Sequence, residues 1–155
     1  MRLLRSTRPR LSVIVVVAAL CAGSAMVSRP VRPRKFAASA GAPESDTEKL
    51  PVPKGSTADM VALGARIFHG QVAGANCTGC HGANGTGSQT GPDLTKNRWL
   101  WSDGSVAGIL KVITNGVPQP KQYRRPMPPM GGAELTADQA SALAAYVWAL
   151  SHQSK

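Results

Sequence analysis

Five consecutive residues constrain this chain more than any others: Cys77-Thr78-Gly79-Cys80-His81. On one turn of helix, positions i, i+3 and i+4 share a face. Two thiols and an imidazole are therefore presented together from a single short element. A structural zinc site needs about four ligands. No second cysteine pair is present, and the other histidines, His69 and His152, are far apart in sequence and lack zinc-finger spacing. A redox dithiol belongs in a strand–helix–strand setting, and no such pattern surrounds residues 77–81.

The remaining chemistry is covalent attachment of a haem, for which C-x-x-C-H is the signature. Cys77 and Cys80 can reach the two vinyl groups of one porphyrin, and His81, four residues after Cys77, can present its imidazole to the iron. The expectation is one covalently bound haem c. A covalent bond also keeps the cofactor with a protein that is exported.

Export is suggested by the other end of the chain. The 155 residues carry a formal net charge of +10, but the excess is local. Residues 1–35 hold eight basic residues and no acidic one, whereas residues 57–155 hold eight basic and five acidic. The later region shows no basic face of the kind nucleic acid requires, so no nucleic-acid partner is expected. Residues 2–10 are arginine-rich and residues 11–27 are uncharged and mostly apolar. This is the layout of a secretory signal, with small residues at Ala22-Gly23-Ser24 and Gly23-Ser24-Ala25 for cleavage. An uncleaved anchor is the competing reading, since 17 residues form a helix of roughly 25 Å. The basic residues Arg29 to Lys35 would flank such a helix. Either way, the basic start leaves the rest of the chain on the far side of the membrane, in a periplasmic location or on the outer face of the inner membrane. Cys21 follows Leu20 rather than a small residue, and reads as apolar filler rather than a lipid attachment site.

Three regions are expected: 1–27, signal peptide or membrane anchor; 28–56, a flexible tether rich in Pro, Ala, Ser and charge; and 57–155, the folded domain. Within the last, Thr57 with Asp59 in the first turn makes a helix start, and Val61, Ala65 and Phe68 share a face. Thr136 and Gln139 form a capping box, followed by an apolar stripe of Ala140, Leu143, Ala144, Val147 and Leu150. No strand pattern appears. A domain this small has a thin core, so the apo-protein is expected to fold poorly.

Several features in order beside the C-x-x-C-H motif resemble class I cytochromes c, over roughly residues 57–152. They are Gly64 and Phe68 in ALGARIFHGQ, the glycine-rich loop after His81, and Gly91-Pro92-Asp93-Leu94. A helix around 106–114, the segment Pro126-Met127-Pro128-Pro129-Met130-Gly131-Gly132, and a last helix with Leu143 and Tyr146 follow. The resemblance implies an all-α cytochrome c fold of three to four short helices around one covalent haem, with a disordered N-terminal extension. It implies that Gly64 lets the first and last helices approach, with Phe68 and Tyr146 at the crossing. It also implies that the carbonyl of Pro92 accepts the second ring N–H of His81, the proximal ligand.

For the sixth ligand the residues themselves leave five candidates: Met60, Met127, Met130, His69 and His152. Prolines on both sides of Met127 stiffen its backbone, while Met130 precedes two glycines. The resemblance implies Met127, the methionine opening M-P-x-x-G. Arg98, Trp99 or Trp101 is a candidate for a haem propionate, and Lys121, Arg124 and Arg125 are candidates to border the haem edge and steer an acidic partner. His/Met ligation leaves no open position on the iron. The resemblance therefore implies electron transfer between redox partner proteins, with no small-molecule substrate and a possible membrane tether. The rivals are a cytochrome subunit of a dehydrogenase or terminal oxidase complex, and a haem enzyme or gas sensor with a labile sixth position.

Overall fold

In the computed structural model, residues 47–154 are described. The signal or anchor expected over 1–27, and most of the tether expected over 28–56, lie outside them. The last part of that tether belongs to the packed unit: Pro53 is buried, and Leu50 packs against the core. The folded region therefore starts N-terminal of Thr57.

Four helices follow. Helix α1 spans Ala58–Phe68 and starts at Thr57, whose side chain accepts from the Met60 N–H. Helix α2 is the single turn Thr78–His81. Helix α3 spans Val106–Asn115, capped by the Ser105 side chain accepting from the Gly108 N–H. Helix α4 spans Ala137–Ser151 and opens on the expected capping box of Thr136 and Gln139. A short 3-10 turn occupies Pro129–Gly132, with Met130 and Gly131 in left-handed conformations. Among the described residues the nearest approach to a sheet is one isolated antiparallel bridge between Val117 and Met127. The fold is all-α, as the absence of strand patterning predicts.

The core forms where α1 crosses α4 and α3 packs on α4's other side. Gly64 sits at the crossing. A Cβ there would collide with the carbonyl oxygen of Ala142 and lie 2.6 Å from the Cβ of Tyr146, so only glycine permits the approach. Phe68 and Tyr146 meet beside it, with ring centroids 5.5 Å apart. Every residue of the predicted α4 stripe is buried, but so are Ala142, Ala145, Tyr146 and Ala149. A helix flanked by two others buries more than one face. Its small alanines, which contribute little to an apolar pattern, are what let both neighbours come close.

Candidate functional site: an apolar cleft around the Cys-x-x-Cys-His turn

The attachment motif folds as its spacing predicts. Cys77 already has helical backbone angles, and its carbonyl accepts from the N–H of Cys80 at 3.2 Å and of His81 at 2.9 Å. A turn this short needs external help. Asn76 supplies it: its Oδ1 accepts from the Gly79 N–H at 3.1 Å. An asparagine three residues before the donor is the sequence signal for such a cap.

Cys77, Cys80 and His81 all line one cleft. The cleft is deep but open to solvent at its mouth. Its walls are mostly apolar: Phe68 from α1, Leu94 and Trp99 from the connecting loop, Ile109 and Ile113 from α3, Leu143 and Val147 from α4. Burial pushes the Cys77 thiol up to about 11, the neighbouring Cys80 adding to the effect against its own backbone hydrogen bond. Reactive and metal-binding cysteines have the opposite bias, toward thiolate. Among the described residues no three His, Cys, Asp or Glu side chains converge to hold a lone metal ion.

His81 Nδ1 lies 3.0 Å from the carbonyl oxygen of Pro92. A carbonyl only accepts, so Nδ1 carries the proton and the Nε2 lone pair remains available. Burial lowers the His81 pKa while the bond to Pro92 raises it, and the net shift is downward. The neutral ring, the form that can ligate a metal, is thereby favoured.

Of the five candidate sixth ligands, Met127 alone lines the cleft. His69 has both ring nitrogens at backbone carbonyls, Nδ1 2.7 Å from Ala65 O and Nε2 3.1 Å from Ala83 O. The ring of His152 stacks on Trp148 at 3.8 Å. Met60 and Met130 are half-buried away from the lining. The other expectations divide. Arg98, Trp99 and Trp101 line the cleft, but Trp99 donates its N–H to Asn97 Oδ1 at 2.7 Å. From the basic cluster, Arg125 lines the cleft, whereas Lys121 and Arg124 do not. Lys121 Nζ instead lies 4.8 Å from the centroid of the exposed Trp101 ring.

Fold and cleft together define a class of protein: a small helical domain whose core opens into an apolar cleft able to take a planar group. The donor set fits a haem of the c type, with two thiols and a neutral imidazole on one turn, a thioether on the same cleft, and apolar walls. The family model for cytochrome c matches residues 61–151, and the chain belongs to the cytochrome c family. Its relatives include the cbb3-type cytochrome c oxidase subunit CcoP of Rubrivivax gelatinosus, 37% identical over 91 residues, which are 59% of this chain and 26% of that protein. The FixP subunit of Azorhizobium caulinodans is 40% identical over 79 residues, 50% of this chain and 24% of that one. This chain spans about a quarter of the length of these relatives. Among solved structures, it is similar to cytochrome cL of the marine methylotroph Methylophaga aminisulfidivorans, at 22% identity over 57% of this chain and 51% of that one, TM-score 0.43.

Proposed function

We propose that the chain transfers electrons through one haem c, attached at Cys77 and Cys80 and ligated by His81 and Met127. The observation that carries this reading is the convergence of those four side chains on one apolar cleft. Each thiol would add across a vinyl group, sulfur to one carbon and hydrogen to the other. Bound in this way, the haem supplies a reversible one-electron change at iron. The chain's contribution is to hold that change to little rearrangement. Pro92 fixes the tautomer and orientation of His81, as such acceptors do for ligating histidines, and a methionine ligand raises the potential. Arg98 and Arg125 line the cleft with no carboxylate partner among the described residues, and would meet the carboxylate edge of the group. With His81 and Met127 both held on the iron, the group would have no position left for a substrate, and the chain's partners would be redox proteins.

The similarity to cbb3-type oxidase subunits supports a second reading, a cytochrome subunit of a terminal oxidase complex. The basic and apolar segments of residues 2–27 support an exported domain, tethered or released. Among the described residues no helix is long and apolar enough to cross a membrane. Stoichiometric co-purification with an oxidase chain from detergent extracts would favour the second reading, and isolation as a lone haem protein the first.

The ligand set is tested by spectroscopy. Methionine sulfur on ferric haem gives a weak near-infrared charge-transfer band. The oxidised protein is expected to show it, Met127→Ala to lose it with a lowered potential and carbon monoxide binding, and Met130→Ala to keep it. Haem staining on a denaturing gel is expected to vanish in the Cys77→Ala, Cys80→Ala double variant. A wild-type protein without the band that binds carbon monoxide readily would instead be an enzyme or sensor.

A further inference from the structure

The segment Pro126-Met127-Pro128-Pro129 has only one backbone N–H, that of Met127, because proline has none. That donor is used at the Val117–Met127 bridge. Met127 N–H donates to Val117 O at 3.0 Å, and Val117 N–H donates to Met127 O at 2.8 Å. Val117 is buried, with 8% of its surface exposed, and follows directly on the end of α3. Gly116, the C-cap of α3, has φ 67° and ψ −170°, a region open essentially to glycine alone. A Cβ at Gly116 would collide with Met127 O and lie 2.7 Å from Pro129 N and 2.8 Å from Pro128 C. All three are backbone atoms, which cannot rotate aside.

We infer that Gly116 and Val117 are positioning residues for the sixth ligand: the end of α3 sets where Met127 stands, independently of any bond from its sulfur. The prolines stiffen the segment but do not say where it lies. The bridge does, because it is the sole register the segment's lone donor can take with Val117. Helix α3 is in turn fixed to the core by Ile109 and Ile113. The loop thus holds the ligand, and the ligand does not hold the loop. The inference rests on the reading of Met127 as sixth ligand.

Amide hydrogen exchange of the ferric holoprotein, followed by NMR with and without added imidazole, separates cause from effect. When imidazole displaces the thioether, the Met127 and Val117 amides are expected to remain protected together. If their protection disappears as the sulfur leaves, the ligand organises the loop and the inference falls. Gly116→Ala is expected to weaken the near-infrared band and to raise the affinity for imidazole roughly tenfold, from the strain of the imposed conformation. Gly55→Ala is the control, with φ 84° and nothing within 4 Å of an added Cβ, and is expected to leave both readings unchanged. A Gly116→Ala protein that is less stable but keeps the wild-type band and imidazole affinity would make Gly116 merely structural and overturn the inference. Should Met127→Ala keep the band, the ligand assignment itself fails and the inference with it.

Discussion

One carbonyl oxygen decides what His81 can do. Pro92 O accepts a hydrogen bond from the Nδ1–H, and the segment carrying that carbonyl is held by the residue that follows it. Asp93 Oδ1 accepts from the Thr95 N–H at 2.9 Å and from its hydroxyl at 2.6 Å, and Oδ2 pairs with Lys96 at 2.9 Å. Desolvation pushes the Asp93 carboxyl up, but the hydrogen bonds from Thr95 and Lys96 outweigh it and hold the group below its ordinary range. A carboxylate lowered by folding stabilises the fold fully above its ordinary pKa, and that contribution is lost as pH falls through the lowered value. Asp93→Asn keeps an acceptor for the turn but removes the charge. Its thermal midpoint is expected to fall less steeply with acidification than that of the wild type; equal slopes would show that Asp93 does not anchor this loop. At this scale Cys77, Cys80 and His81, read from spacing, and Met127, read from resemblance, all line the cleft, and the Pro92 carbonyl stands at the His81 ring as the resemblance implies. Val117 escaped because it acts through its backbone N–H and carbonyl, and nothing in side-chain pattern records where a main-chain donor will find its acceptor.

Between elements, the α1–α4 crossing depends on the absence of a side chain at Gly64. An added methyl must displace the main chain at Ala142 or the Tyr146 side chain at its root, and neither can move without shifting a helix. Gly64→Ala is expected to destabilise the holoprotein by about 1–3 kcal/mol, the usual cost of overpacking, measured by denaturant unfolding. A loss within error would mean that the helices separate at little cost. The helices themselves were readable. Thr57 and Thr136 mark the starts of α1 and α4 by capping chemistry, and the helix expected around 106–114 spans Val106–Asn115. What could not be read was how many sides of α4 are covered, since Ala142, Ala145 and Ala149 are compatible with an exposed or a buried face. The isolated bridge at Val117 and Met127 gives no period to detect, because one pair of residues makes no alternation.

For the molecule as a whole, the core and the cleft are one construction. Phe68, Ile109, Ile113, Leu143 and Val147 belong to the buried cluster and also line the cleft, so the side chains that would contact a haem are those that hold the helices together. The all-α class and the family were legible because the motif demands a cofactor that a thin core can close around, whereas the behaviour of residues 1–46 lies outside the described structure. The sharing also imposes a schedule on biogenesis. Among the described helices α4, the most thoroughly covered, is the last in the chain, more than fifty residues after Cys80. Until it docks, the thiols stand on an unfinished wall; once it docks, Leu143 and Val147 narrow the approach. Were haem attached at Cys77 and Cys80 as proposed, attachment would precede closure, and the final helix would act as the latch of a case already filled. A chain truncated after Leu135 is expected to gain haem stain on a denaturing gel and yet stay protease-sensitive, and a truncated chain without stain would place closure before attachment.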